Sequence, residues 1–474
     1  MFSKRGTLAV VCLATAMLML DIAVVNTALP QIAVDLHSGL DGVQWVVDAY
    51  TLALAAAVLS AGSLADRFGR RRIFVWGMVL FTVSSLACAL AGSIAVLDGA
   101  RAVEGIAAAM LFATSLAILA NAFPGPAERA QAFALYGATI GASFAVGPLV
   151  GGVLTSDFGW RAVFYVNLPL GVLSLVAGSV WLRESSDPTA RRLDWPGQAT
   201  LTPGLFLLVL ALLRGNQDGW ASSRILAALT GGALLLLAFV LVERRSREPM
   251  LPLGLFRNRA FAGAQVAAFA ISASFFALFL YTTLYLQEVL HLSPIETGLV
   301  YLPGTIVMFV VSAASAQLAD RTSPGAMISG GLLLVAAGLA LMTIADAHST
   351  WLALLPGLIV VFVGTGLLNP ALGAVALGSV AGAQSGLAAG INDAFRQGGI
   401  AVGVAAFGVL VPAAAALGHG SPEGYVTGLH HALLVGTVVA AAGAIATGRF
   451  IPARRTGVQS QRVVAAADAV PEAG

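Results

Sequence analysis

The stretch that decides the fold is Gly62-Ser-Leu-Ala-Asp-Arg-Phe-Gly-Arg-Arg-Arg72. It is a charged island containing Asp66, Arg67 and three further arginines, and it lies between two long apolar runs. Each run is long enough to cross a bilayer, for which about 20 residues suffice. Charged segments between spans must lie in water, and arginine-rich loops face the cytoplasm. The island therefore predicts a cytoplasmic loop between two membrane-spanning helices.

The centre of this stretch occurs twice in the chain. Leu64 to Arg67 returns letter for letter as Leu318 to Arg321, again directly after a long apolar run. Such a repetition predicts two similar halves, an architecture found in many secondary transporters.

The composition is that of a polytopic membrane protein. Of 474 residues, 58% are hydrophobic and only 10% are charged, and the mean hydropathy is +0.89. These values lie outside the range of soluble globular domains. The net charge of +2 comes from scattered residues and does not indicate a nucleic-acid partner. The neighbouring His430 and His431 lack further ligands at metal spacing, so no metal site is expected.

Apolar runs of about 20 residues predict fourteen membrane spans. With a cytoplasmic amino terminus, most of the 25 lysines and arginines fall in cytoplasmic segments, whereas outward loops carry acids such as Asp35 and Asp157. This alternation follows the positive-inside rule. It predicts that both termini are cytoplasmic.

The repeat explains the number of spans. One copy follows span two and the other follows span ten, so two six-helix halves are separated by two additional helices. We therefore expect an all-α integral membrane protein with 14 transmembrane helices arranged as 6+2+6, in which two pseudo-symmetric six-helix bundles form a monomer. The expected domains are 1–183, the insert 184–260, 261–455, and a disordered cytoplasmic tail 456–474.

Five stretches in the first half resemble the major facilitator superfamily, and specifically its fourteen-helix drug:proton antiporter branch. They are Leu20 to Pro30 in span one, Gly62 to Arg72, Arg101 to Gly105 in span four, Gly141 to Gly152 in span five, and Trp160 to Gly171. The resemblance implies the superfamily fold, a bacterial inner membrane location, and proton-driven export of drugs. It also implies that the span-one acid and the span-four arginine belong to a proton-coupling site.

Six ionisable residues lie inside predicted spans, which are Asp21, Asp48, Arg101, Glu104, Asp393 and Arg396. Inserting one ionisable side chain at the depth of the bilayer centre costs about 2.5 to 3.5 kcal/mol, so such residues normally face a cavity or a partner. Arg101 with Glu104, and Asp393 with Arg396, are three residues apart and share a helix face. Asp21 is interpreted as a proton carrier, with a permanently paired structural acid as the alternative.

The roles of the other acids stay open at this stage. Glu104 stands where the family commonly has an amide, and it is either a second proton carrier or the counter-ion of Arg101. Asp48 lies near the outer end of span two, where a solvated residue and a role in attracting cations are both compatible with the sequence. Asp393 and Arg396 either neutralise each other or contribute to substrate binding.

Two further groups of residues are assigned by position. The cytoplasmic charges are expected to hold the two halves together at the inner face and so to form a cytoplasmic gate. The residues assigned to this gate are Gly62, Asp66, Arg67, Gly69, Arg70, Asp320 and Arg321. The small residues of span five are expected to allow close helix packing around a proline kink, and these are Gly141, Gly147, Pro148, Gly151 and Gly152.

A substrate cavity is expected at the midplane between the halves. Its predicted lining comprises Asn26, Asp393, Arg396, Tyr281 and Tyr285, together with further aromatic residues suited to planar drugs, which are Phe269, Phe275, Phe276, Phe279, Tyr301 and Phe309. Lipid-facing placement is the alternative for the aromatic residues.

These features predict a proton-driven exporter of amphipathic, cationic or aromatic small molecules. No phosphate-binding loop is present and Lys4 is the only lysine, so the proton gradient is the expected energy source and no cofactor is required. The alternative within transport is a dedicated exporter of one endogenous metabolite, antibiotic or lipid-like molecule. An integral membrane enzyme would need clustered catalytic side chains, and a channel would need a repeated filter segment; neither pattern is present in the sequence.

Overall fold

The computed structural model describes residues 3–186, 193–319, 322–380, 384–412 and 420–451. Within these ranges the regular structure is helical. The long helices, numbered in chain order, are α1 Lys4–Asp35, α2 Leu40–Phe68, α3 Arg70–Ala89, α4 Ile94–Ala122, α5 Pro126–Phe158, α6 Ala162–Trp181, α7 Trp195–Asp218, α8 Ser223–Arg245, α9 Arg259–Val289, α10 Pro294–Ala319, α11 Pro324–Met342, α12 Leu355–Gly378, α13 Ser385–Gly408 and α14 Pro422–Phe450.

Among the described residues, thirteen helices are long and apolar enough to cross a membrane. The long helix outside this set is α13, which carries Asp393 and Arg396. The prediction of an all-helical, multi-pass membrane protein is therefore confirmed. These helices do not by themselves establish fourteen spans.

Local sequence determines where many helices begin. Seven of them start at a serine, aspartate or asparagine whose side chain accepts a hydrogen bond from a backbone N–H of the first turn. These residues are Ser3, Ser93, Asp194, Ser222, Asn258, Ser323 and Ser421.

Two helices are irregular. Helix α6 is interrupted at Val166, so that a new helical segment begins at Asn167. Helix α9 contains two π-helical turns, Ser272–Phe276 and Tyr285–Val289. Such turns often occur at functional sites because they re-aim neighbouring side chains.

The first six helices contact the last six mainly through two pairs of helices. Helix α2 packs against α13, and α5 packs against α10. Helices α7 and α8 pack on each other, and α7 also contacts α2 and α13. The α7–α8 hairpin therefore lies beside the α2–α13 contact.

Polar contacts also join the first six helices to the last six. The Gln44 amide donates to the Tyr281 hydroxyl at 2.6 Å, and the Gln287 amide donates to the Thr27 carbonyl at 3.0 Å. A third bond runs from the Ile295 backbone N–H to the Ser156 hydroxyl at 3.2 Å. All three lie toward the end where α1, α5 and α9 finish, so the two groups of helices are in contact at that end.

Candidate functional site

Arg101 is the centre of a buried polar cluster. Its Nη1 donates to Asp21 Oδ2 at 2.7 Å and to Glu104 Oε2 at 2.8 Å, and its Nε donates to the Val46 carbonyl at 3.1 Å. The guanidinium carbon lies 4.2 Å from the centre of the Tyr50 ring, in a cation–π contact. Arg101 is 2% exposed, and both carboxylates are fully buried. One guanidinium is therefore shared by two acids, in charge-assisted hydrogen bonds of the strong kind.

Five helices hold the two acids and the arginine in this arrangement, and α2 contributes the Val46 carbonyl described above. Helix α4 places Arg101 and Glu104 on one face because they are three residues apart. Asp21 comes from α1, and its second oxygen accepts a hydrogen bond from the Asn167 amide at 2.9 Å. Asn167 also donates to the Ser85 hydroxyl of α3 at 3.0 Å. Its position follows from the interruption of α6, which starts a new helical segment at this residue.

Asp21 and Glu104 differ in how completely they are satisfied. Both oxygens of Asp21 accept a hydrogen bond, from Arg101 and from Asn167. Glu104 Oε2 accepts from Arg101 and from the Cys88 thiol, which is a weak donor. Glu104 Oε1 is buried without a partner among the described residues. Asp21 is therefore the more completely hydrogen-bonded of the two acids.

Asp48 is fully buried in α2, and neither carboxylate oxygen has a hydrogen-bond partner in the described part of the chain. The alternative of a solvated Asp48 is therefore wrong for this conformation. The position near the start of α2 suggested exposure, but with α2 packed against α4 and α13 the side chain is fully buried.

A small cavity of about 30 Å³ lies beside the Arg101 cluster, between the first six and last six helices. Its polar lining consists of Asn26, Thr51 and Arg101, and its aromatic lining of Tyr50, Phe144, Phe276 and Phe279. Aliphatic side chains complete the wall, and these are Ile22, Val25, Val47, Leu280, Ile400 and Val404.

Several predicted lining residues lie elsewhere. The Tyr281 hydroxyl accepts from Gln44 and donates to the Val404 carbonyl, and the Tyr285 hydroxyl donates to the Asp346 carbonyl at 2.7 Å. Both tyrosines are fully buried and are not among the residues that line the described cavity. Phe276 and Phe279 of the same helix, which were also expected as aromatic lining, do lie in the wall of the cavity. The π-helical turns of α9 change the faces that its residues present, which an ideal helical period does not predict.

Asp393 and Arg396 do not line this cavity either. No ion pair within 4.0 Å joins them in the described structure. Instead, the Arg396 guanidinium carbon lies 5.7 Å from the centre of the Phe276 ring. Direct pairing of these two side chains is therefore absent from this conformation.

The charged island at the α2–α3 turn contacts its own half of the chain. Arg70 Nη2 lies 2.8 Å from Asp66 Oδ1, one helical turn apart, and Arg67 lies over the Phe68 ring. Gly69 adopts φ +109°, a backbone conformation that favours glycine. A Cβ atom at Gly62 would lie 4.0 Å from the Ala113 Cβ, at ordinary contact distance. Asp320 and Arg321 lie outside the described residues.

Glu184 is a contributor to this island that the sequence did not single out. Its carboxylate accepts hydrogen bonds from the backbone N–H groups of Arg71 and Arg72, at 3.0 and 3.2 Å. It therefore caps the start of α3 from the connector after α6, where the Gly69 N-cap offers no side chain.

The small residues of α5 differ in their surroundings. A Cβ atom at Gly147 would lie 2.2 Å from the Ala23 Cβ, and one at Gly151 would lie 2.4 Å from the Thr27 hydroxyl, both on α1. A Cβ at Gly152 would lie 2.5 Å from the Pro294 carbonyl of α10. A Cβ atom at Gly141 would meet nothing within 4 Å outside its own helix backbone, and Pro148 lies inside the helix. Close packing thus depends on the later glycines.

Comparison with known proteins places this arrangement in a family. The family model for the Major Facilitator Superfamily matches residues 11–404. The chain is 38% identical over 397 residues to the multidrug resistance protein Stp of Mycobacterium tuberculosis, and the alignment covers 84% of this chain and 74% of the relative. It is also 38% identical over 437 residues to the puromycin resistance protein pur8 of Streptomyces alboniger, covering 90% of this chain and 86% of the relative.

A solved structure agrees in fold. The peptide transporter POT in complex with sulfate superposes with a TM-score of 0.66 over 94% of this chain and 95% of that one, at 17% identity. A family-model match of this extent, together with the relatives, shows that the chain belongs to the major facilitator superfamily and is a non-enzymatic, membrane-embedded transporter of small molecules.

Proposed function

We propose that the protein is a proton-coupled exporter of amphipathic, cationic or aromatic drugs and antibiotics that works by alternating access. The observation that carries this proposal is the sharing of Arg101 by two buried acids at the wall of the cavity. The names of the relatives, which refer to multidrug and puromycin resistance, support the drug class.

The proton site follows from charge counting. Asp21, Glu104 and Arg101 would carry a net charge of −1 if both acids were ionised, and an uncompensated buried charge is strongly unfavourable. One proton on an acid makes the cluster neutral. Glu104 is the less completely satisfied acid, so it carries the exchanged proton while Asp21 orients the arginine.

Coupling to substrate follows from the position of Arg101, which is both a partner of the acids and a wall of the cavity. While Glu104 is deprotonated, both acids hold the guanidinium in place. Protonation of Glu104 would weaken one of these contacts, loosen Arg101 and change the lining that a substrate contacts. Asp48 of α2, buried without a hydrogen-bond partner in the described part of the chain, is a further protonation site that water would reach when α2 separates from α13.

The arrangement of halves is part of the proposal. The α2–α13 and α5–α10 contacts are related by the same offset of eight spans as the sequence repeat, which supports bundles 1–183 and 261–455 with the α7–α8 hairpin as an insert. Both termini would be cytoplasmic in a monomer of this kind. The contacts of Gln44 with Tyr281 and of Gln287 with Thr27 would then close the outer end.

The test uses everted membrane vesicles that hold a proton gradient reported by a pH-sensitive dye. Ethidium and uncharged aromatic compounds are added in turn, and dequenching is compared between the parent, Asp21→Asn and Glu104→Gln. Asp157→Asn, an exposed acid of α5, is the matched control. Proton release by several compounds in the parent and the control, but in neither cluster variant, is expected.

Other outcomes separate the alternatives. Full dequenching in Glu104→Gln would refute its assignment as the carrier. Response to a single compound out of a chemically diverse set would indicate a dedicated exporter. Absence of any response from correctly inserted parent protein would contradict proton-coupled drug export.

A further inference from the structure

Helix α4 carries three charged residues near one face. Asp98, Arg101 and Glu104 are spaced three residues apart, so each lies about one turn from the next along the helix. The buried cluster described above uses Arg101 and Glu104, and it leaves Asp98 without a partner in that cluster. Asp98 is nearer the start of α4, whereas Glu104 lies on the other side of the arginine. Arg101 therefore has an acid about one turn away in each direction.

Asp98 is an incompletely satisfied acid. Its side chain is half-buried, and its Oδ1 atom is buried without a hydrogen-bond partner in the described part of the chain. The charged groups that act on it electrostatically are Asp41 of α2 and Arg101. Among the described residues, no ion pair within 4.0 Å includes either Asp98 or Asp41. A guanidinium is the partner that this buried oxygen lacks.

The gap between α2 and α4 leads from Arg101 to Asp98. The Arg101 guanidinium lies over the Tyr50 ring of α2, and Asp98 also faces α2 because it acts on Asp41. One turn further along α4 the two helices are in close contact, since a Cβ atom at Gly105 would collide with the Tyr50 carbonyl. A loosened guanidinium can therefore move along this gap toward the start of α4, where Asp98 lies.

The order of the residues also favours the contact with Asp98. An acid that precedes its basic partner on a helix makes a better pair than one that follows it, because helical side chains lean toward the helix start. Asp98 precedes Arg101, whereas Glu104 follows it. Arg101 Nη2 donates no hydrogen bond to a described residue, so one donor is available. Once Glu104 carries a proton, Asp98 is the stronger partner.

We propose that Asp98 is the alternative ion-pair partner of Arg101. When Glu104 takes up a proton, the guanidinium keeps its bond to Asp21, leaves Glu104 and pairs with Asp98. Loss of the proton returns it to Glu104, which is the arrangement in the structure. Asp98 is thus a positioning residue, which sets where Arg101 lies relative to the cavity wall. This inference rests on the proposed proton exchange at Glu104 and adds the contact that receives Arg101 in the second state.

Thermal unfolding of the purified full-length protein in detergent tests this pair without transport. Asp98→Asn is introduced into the parent and into Glu104→Gln, a neutral substitute for protonated Glu104, and the midpoints are compared at alkaline pH. In the parent Arg101 pairs with Glu104, so Asp98→Asn should change the midpoint by less than about 1 °C. In Glu104→Gln it should lower the midpoint by at least about 3 °C, because it removes a charged partner of Arg101.

Two matched substitutions in Glu104→Gln show whether the Asp98 carboxylate is responsible. Asp98→Glu keeps the charge and should retain most of the midpoint. Asp157→Asn neutralises an exposed acid of α5 and should have little effect. An equal loss from Asp98→Asn in the parent and in Glu104→Gln would make Asp98 an ordinary structural residue and overturn the proposal. Absence of a loss in both backgrounds would also overturn it.

Exchange in vesicles supplies a second measurement that does not depend on the folding of Glu104→Gln. In everted vesicles that hold a proton gradient, Asp98→Asn should slow substrate-induced dequenching by at least about tenfold, and Asp98→Glu should restore about half of the parent rate or more. Equal slowing by both variants would contradict the role of the carboxylate. Absence of dequenching in the parent would refute proton-coupled export, and the unfolding midpoints would then still decide whether Arg101 pairs with Asp98.

Discussion

The contact between α5 and α1 leads to a quantitative prediction about Gly147. A methyl group there would lie 2.2 Å from the Ala23 Cβ, whereas carbon atoms in contact are normally about 3.5 to 4.0 Å apart. Gly147→Ala must therefore separate the two helices by more than 1 Å locally, and overpacking of this kind costs about 1 to 3 kcal/mol. Ala23 is two residues from Asp21, so the same shift should disturb the bond to Arg101.

Gly141→Ala is the matched control, because the same change on the same helix meets nothing within 4 Å. Alanine is favoured over glycine in helices by up to about 1 kcal/mol, so the control should be neutral or slightly stabilising. The assay is thermal unfolding in detergent, followed by substrate-induced proton release in vesicles. Gly147→Ala should lower the midpoint relative to Gly141→Ala and weaken exchange. Equal midpoints for the two variants would refute the close packing of α5 on α1.

Two further predictions concern contacts that hold segments together. Gln44→Leu removes the hydrogen bond to Tyr281 that joins the two halves, which costs about 1 kcal/mol. It should therefore increase the labelling of cysteines introduced at the closed end about fivefold. Unchanged labelling would contradict a closing role for this contact. Glu184→Ala removes the acceptor for Arg71 N–H at the start of α3 and should lower the unfolding free energy by about 1 kcal/mol. Glu128→Ala, which removes only an exposed pair, is its control, and an equal effect would argue against capping.

The helical fold could be predicted from the sequence because apolar runs and charge alternation report directly on membrane spans. The Leu-Ala-Asp-Arg repeat also indicated which spans correspond in the two halves. The remaining ambiguity concerns α13, where Asp393 and Arg396 reduce the apolar signal that identifies a span. Charges in a span carry information about function and weaken the evidence for the span at the same time.

The candidate site was predictable where residues share a helix. Arg101 and Glu104 follow from their spacing, and Asp21 from its depth. Asn167 could have been noticed as a buried amide, but its contact with Asp21 depends on how α1 and α6 meet. Phe276 and Phe279 of α9 were among the expected aromatic residues, but the sequence could not separate them from Tyr281 and Tyr285, because two π-helical turns change the helical period.

The central claim is that substrate binding displaces a proton from the acids that share Arg101. The most direct measurement is proton release by purified protein in lightly buffered solution, recorded with a pH-sensitive dye while ethidium and uncharged aromatic compounds are added in turn, alongside binding of the same compounds. The account predicts proton release on binding in the parent and in Asp157→Asn, and binding without release in Glu104→Gln. Undiminished release from Glu104→Gln and from Asp21→Asn would contradict it.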